Sequence, residues 1–268
     1  MIGIHYGLPE DAYHASEGVS ATMLKTLAMG TPAHLKHYMT HGREDTPAMR
    51  FGRLIHRAVL EPDRMDSEYI VSPKIDKRTK EGKALYAEFL VKAQGREIVD
   101  QDEMDKIRQI VDSVHSQSEA RDLLSHGKKE VSIFGIDPIT GLTVKARIDI
   151  LAGTAMTDIK SVEDASDWGF SGQLTKMFWH IQTPHYAAVG ELVKIKVEYQ
   201  SFMAIEKKAP FLCNVVWLNN ESIERGFELR QRMMAKIKEC KDKNEWPGYG
   251  AAHEIGIRRY GLTDKEAA

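Results

Sequence analysis

Cysteine is scarce in this sequence. The 268 residues include only Cys213 and Cys240, and no C-x-x-C occurs. That argues against a cysteine-held zinc or iron–sulfur cage and fits a reducing cytoplasm. A surplus of either charge is also missing: 37 basic residues face 39 acidic ones, for a net charge of −2. Such a chain is not coated in cations for nucleic acid, although local basic patches stay open to it. No apolar run reaches the roughly 20 residues that a membrane-spanning helix needs. No G-x-x-x-x-G-K-[ST] is present, which argues against a P-loop ATPase. The opening "MIGIHYGLPEDAYH" lacks a basic region followed by an apolar run. The expectation is therefore a cytoplasmic protein without a secretory leader. Repeats, low-complexity tracts and a dividing linker are absent as well, so one domain is expected over residues 1–268.

What is present is an ordinary globular balance, 42% hydrophobic and 28% charged. The first part reads as helical. Ser20 can cap "ATMLKTLAM", and Thr31 can cap the next helix with Pro32 at its first position. "MRFGRLIHRAVLEP" sets Phe51, Leu54, Ile55, Ala58 and Val59 at helical spacing, and Pro62 ends it. "SPKIDKRTKEGK" holds five cations from Lys74 to Lys83 and reads as an exposed loop. Helical patterns resume over 84–124. The period then changes. "EVSIFGIDP", "LTVKARIDIL" and "TAMTDIKSV" alternate as strands, separated by Asp-Pro, Thr-Gly and Ala-Gly turns. A helical stretch over 168–193 follows, then strands "VEYQSFMAIEK" and "FLCNVVWLN", a helix over 221–243 and the tail "EWPGYGAAHEIG". This order predicts an α/β fold with a central mixed β-sheet flanked by helices, plus an N-terminal helical region.

The strands around "RIDILAGTAMTDIKSV" carry the chemistry. Alternation puts Val144, Ala146, Ile148 and Ile150 on an apolar face and Lys145, Arg147 and Asp149 on the other. Asp158 and Lys160 share a face of the next strand. A tight turn pairs the two strands and lets Asp149 and Asp158 converge. Two carboxylates that close repel unless a proton or a cation joins them. A divalent metal with hard oxygen ligands, Mg²⁺ or Mn²⁺, answers that need. A lysine beside it can orient or deprotonate a water, which together makes a phosphodiester-hydrolysis centre. D-x-K alone would more often be a cross-strand charge pair on a solvated sheet. His56, on the early helix, can ligate a metal or contact a phosphate. Gln182 and Tyr186 lie four apart, on one face of a helix. Glu130 begins the first long strand and reads as a solvated strand end.

In combination these pieces resemble the PD-(D/E)XK nuclease superfamily, in its RecB-like branch. The branch's helix His, Asp, D-x-K and Q-x-x-x-Y read here as "GRLIHRAVLEP", "KARIDIL", "TDIKS" and "QTPHY". The likeness extends to the nuclease domain of the RecE-type exonucleases (the exonuclease VIII family). It takes in "GVSATMLK", "TPAHLK", "IDKRTKEGK", "EVSIFGIDPITGL" and "NEWP", nearly the whole chain. The resemblance implies Asp149 and Asp158 as metal ligands, helped by the carbonyl of Ile159. Lys160 would position the attacking water, with His56 at or beside a second metal. Gln182 and Tyr186 would support the lysine and the DNA backbone. Pro184, between them, is a departure that removes an N–H and would kink the helix. The implied activity is ATP-independent 5′-to-3′ resection of linear duplex DNA. It would use Mg²⁺ (Mn²⁺ substituting), two ions per site, and leave 3′ tails for a RecT-like annealing protein. The implied assembly is a homo-oligomer ring, trimer or tetramer, with no membrane association. Lys77, Arg78 and Lys80 would then belong to a DNA-contacting loop.

Two other readings differ in what they require. A restriction or repair endonuclease would share the metal centre but not the need for ends. A non-catalytic DNA-binding relative would have lost one of His56, Asp149, Asp158 and Lys160, and all four are present.

Overall fold

The computed structural model describes residues 1–252 and 254. It opens with β1 (Gly3–His5), α1 (Glu10–Ala15), α2 (Ala21–Met29), α3 (Pro32–His41) and α4 (Pro47–Leu60). There follow α5 (Met65–Glu68), β2 (Tyr69–Val71), α6 (Lys80–Ala93), β3 (Glu97–Val99), α7 (Gln101–Ser116) and α8 (Ser118–His126). The central strands are β4 (Lys128–Ile136), β5 (Thr143–Ala152) and β6 (Ala155–Val162). Then come α9 (Asp167–Lys176), α10 (Gln182–Glu191), β7 (Tyr199–Glu206), β8 (Cys213–Trp217) and α11 (Asn220–Lys243). The main sheet has the order β1-β4-β5-β6-β7-β8. β4, β5 and β6 form an antiparallel meander, β7 runs parallel to β6, and β8 returns antiparallel. The parallel step needs a crossover, and α9 and α10 supply it.

Ser20 caps α2 as expected, and Thr31 stands at the N-cap of α3, its hydroxyl 2.8 Å from Nδ1 of His34; two further helices open in the same way. Ser20 and Asn219 accept from the backbone three residues on, and Pro32 and Pro47 each open a helix. Helices cover both faces of the sheet. On one side Leu54, Ile55, Ile110, Val114 and Leu124 pack with Ile150, Ile159 and Met203. On the other, Leu24, Leu35, Val189, Met234 and Ile237 pack with Ile133, Ala146 and Ile148. Alternation put Val144, Ala146, Ile148 and Ile150 on one face; all four are fully buried, but Ile150 packs on the α4 and α7 side while Val144, Ala146 and Ile148 pack on the other.

Several expectations are corrected. The N-terminal region is not wholly helical. β1 forms the sheet edge against Phe134, Ile133 and Ser132, and β2 and β3 make a separate parallel pair. Three-residue strands carry too few alternations to register as a period. "SPKIDKRTKEGK" is only half loop: Thr79 caps α6, so Lys80 and Lys83 are helical. The stretch over 168–193 is two helices, broken where Phe178 turns to φ +53°. In the tail, His253, Ile255 and Gly256 lie outside the described residues. No helix among the described residues is long and apolar enough to cross a membrane.

One buried polar network ties distant elements together. The Arg230 guanidinium donates to Asp137 at 2.7 Å and to Nδ1 of His185 at 3.3 Å. Nε2 of His185 then donates to the Lys145 carbonyl at 3.1 Å. Burial, and then the guanidinium, keep this imidazole neutral, with its pKa pulled down to about 3. All three side chains are buried. Removing one partner strands the other charge without solvent. Asp137→Ala should therefore cost about 3–5 kcal/mol, read from urea unfolding. A loss below 1 kcal/mol would show that water reaches the arginine.

Candidate active site

The site forms where two strands part. β5 and β6 are joined by Gly153 and Thr154, with Gly153 at φ +60°, which glycine adopts without strain. The ladder runs Ala152–Ala155, Leu151–Met156 and Ile150–Thr157, then stops. One step further the register sets Asp149 opposite Asp158. There the Asp149 carboxylate, not a backbone carbonyl, accepts from the Ile159 N–H at 2.7 Å. The strand ends separate around the two acids. Residues of α1, α2 and α4 complete a cleft of about 1160 Å³ whose lining includes His56, Glu130, Asp149, Asp158, Lys160 and Gln182.

Every side chain in the floor has a specific partner. Asp158 is paired through one oxygen with the Lys160 ammonium and through the other with the Gln182 amide. Lys160 lies 5.4 Å from the Trp179 ring centre, which confines it on the apolar side. Nε2 of His56 is 3.0 Å from the Ile159 carbonyl, and its Nδ1 is 3.7 Å from Asp149. Gly52 sits one turn before His56. A Cβ there would come 3.1 Å from Ser161 Oγ, so its absence lets α4 lie close over β6. Gln182 also donates to the Tyr186 hydroxyl at 3.1 Å, so the pair shares a helical face. Pro184 does not kink that helix. It falls in the first turn of α10, where an N–H has no intrahelical partner to lose.

Electrostatics follow from crowding. Burial first, then Asp158 and Glu130, push the Asp149 carboxyl well above the ordinary carboxylate range. His56, Glu130 and Asp149 each turn one ligand atom toward a common space, all within 4.8 Å of one another. That mixed oxygen and imidazole set, with repelling acids, fits a divalent cation. The grouping differs from the expected one. Asp158 has both oxygens engaged, the Ile159 carbonyl faces His56, and Glu130 completes the trio. Glu130 sits at φ +54°, a conformation that costs a non-glycine residue energy and clusters at functional sites. It pairs with Arg147, which also donates to the Leu8 carbonyl at 2.8 Å. The pairing of β4 with β5 sets residue 130 opposite Asp149.

Sequence reasoning missed Lys25, Arg147 and Arg43. Lys25 follows Ala21 by four residues and adjoins Leu24, so it is a lysine on an apolar helical stripe. Its ammonium donates to Gln182 at 2.7 Å. Burial, then the charge of Lys160, lower its pKa to about 7. Arg43 lines the cleft and forms no ion pair among the described residues. Lys77, Arg78 and Lys80 are not among the cleft-lining residues. Arg78 folds onto Asp76 at 2.9 Å, and Lys77 lies over the Tyr86 ring at 3.4 Å.

A family model described as a PDDEXK-like domain of unknown function (DUF3799) matches residues 20–256. The chain belongs to this family. Membership of the PDDEXK-like family accounts for the mixed sheet and for the D-x-K strand at its parting edge. The chain is also similar to a solved structure from Eubacterium rectale, named "Putative exonuclease". The two superpose with a TM-score of 0.65 at 13% identity, over 96% of this chain and all of that one. At that identity the likeness is one of fold. No curated protein matches the sequence.

Proposed function

We propose that this protein is a metal-dependent exodeoxyribonuclease that resects linear duplex DNA from its 5′ ends without ATP. The observation that carries the reading is the convergence of His56, Glu130 and Asp149 beside the Asp158–Lys160 pair. His56, Glu130 and Asp149 would hold a divalent cation, with Asp158 beside it, and Mg²⁺ or Mn²⁺ is the expected ion. Such an ion, when bound, neutralises charge on a phosphodiester and acidifies water. Lys160 orients the attacking water, and Asp158 and Trp179 hold the lysine. Gln182 fixes Asp158, and burial keeps the Tyr186 hydroxyl protonated as a donor. The RecE resemblance supports 5′-to-3′ polarity, 3′ tails and a RecT-like partner. Two ions per site, with His56 at or beside the second, are what the RecE resemblance supports.

A linear duplex labelled at both ends tests the activity, with Mg²⁺ and no ATP. Early loss of the 5′ label is expected. Loss of the 3′ label, or cutting of covalently closed circles, would instead favour an endonuclease or the opposite polarity. Arg43 is the cation best placed for a phosphate. Arg43→Ala should weaken binding in Ca²⁺ and lower the salt slope of log K by about one. An unchanged slope would remove Arg43 from the interface.

A net charge of −2 gives little long-range attraction to DNA. A cyclic trimer or tetramer that encircles the duplex would supply processivity instead. Light scattering decides this: a stable monomer that still degrades long DNA processively would refute the ring.

A further inference from the structure

We infer that Lys25 is a positioning residue of this centre, acting through the side-chain amide of Gln182. The inference rests on the nuclease reading above. A glutamine amide has two nearly equivalent orientations, and its partners decide between them. Here the decision comes from α2. In its ammonium form Lys25 only donates, and its Nζ lies 2.7 Å from Oε1 of Gln182. Oε1 is thereby fixed toward α2, and the –NH₂ group faces the other way. Its two N–H groups then reach Asp158 and, at 3.1 Å, the Tyr186 hydroxyl. Asp158 in turn holds the Lys160 ammonium. The chain Lys25, Gln182, Asp158, Lys160 thus spans α2, α10 and β6.

Flipping the amide would break it. Oε1 would face the Asp158 carboxylate, acceptor against acceptor, and –NH₂ would face an ammonium, donor against donor. Lys25 opposes that state from both ends. Its placement also costs something, because a half-buried lysine beside buried Ala21 and Leu24 loses part of its hydration. The Ser20 cap and the packing of Leu24 and Leu27 set the helix phase that aims it.

The test uses Lys25→Met, Lys25→Arg, Gln182→Ala and the double variant Lys25→Met/Gln182→Ala. Lys25→Met keeps the apolar stem and removes the donor. It should lower kcat by about ten- to a hundredfold with little change in KM, as loss of an outer partner does. Lys25→Arg should recover part of that loss. The double variant should be no slower than Gln182→Ala alone, because the lysine has nothing left to orient. Multiplying losses, or a raised KM with a shallower salt dependence, would mean that Lys25 binds DNA directly and would overturn the inference. Side-chain amide resonances of ¹⁵N-labelled protein give a readout free of catalysis. The Gln182 signal, identified by its loss in Gln182→Ala, should shift in Lys25→Met and stay near its wild-type place in Lys25→Arg. An unmoved signal in Lys25→Met overturns the inference. Wild-type protein that cleaves no DNA would overturn the nuclease reading instead, while the amide signal still decides the contact.

Discussion

Lys160→Ala should slow phosphodiester cleavage by about a hundredfold or more while the protein stays folded. The ammonium sits at the edge of the cleft, paired with Asp158 and backed by Trp179 and Phe202. It is the cation paired with Asp158 at the cleft, so a water bound beside that acid has it as a donor that sets its direction. The sheet beneath does not depend on it: Ile159 and Val162 on β6 remain buried in the core. Loss should therefore appear in kcat, with binding in Ca²⁺ weakened only slightly. Single-turnover rates against circular dichroism spectra make the comparison. Wild-type rates in the variant would mean that another group, such as Lys25, orients the water.

Asp149→Asn should have the opposite effects on rate and on stability. Cleavage should fall by about a thousandfold, because a preorganised charge at the reacting centre is lost. Metal-free protein should become more stable. In the wild type, burial and the neighbouring Asp158 and Glu130 raise the Asp149 pKa above its unfolded value. A carboxyl with a raised folded pKa contributes its stability fully below the unfolded value, about 3.9. That contribution is lost as pH rises through the folded value. In EDTA, wild-type Tm should thus decline across that window, and the Asn variant should decline less. Adding Mg²⁺ or Mn²⁺ at neutral pH should raise the Tm of the wild type by mass action and leave the variant nearly unmoved. The amide can still accept from Ile159, so the β5–β6 junction should survive. Equal Tm values in EDTA would mean that the acids do not repel in solution, and an equal metal response would place the cation elsewhere.

The sheet meander, the long C-terminal helix, the helix that carries His56 and the nearness of Asp149, Asp158 and Lys160 were legible from the residues alone. These depend on short-range rules. Alternation assigns side chains to faces, caps mark helix starts, and a Gly-Thr turn leaves little choice of register for the strands it joins. Tertiary structure decided the rest. Glu130 joins His56 and Asp149 only because β4 pairs with β5 in one register, which alternation within β4 cannot reveal. Lys25 reaches Gln182 across 157 positions of sequence, and Arg230 reaches Asp137 across 93. Pro184 read as a kink because the sequence does not show where α10 begins. Once the chain turns at Phe178, the same proline lies in a first turn, where its missing N–H costs nothing. Local patterns fix which way a side chain leaves its own element. Which element stands opposite follows from closing the sheet between its helical layers, an arrangement set by every contact at once.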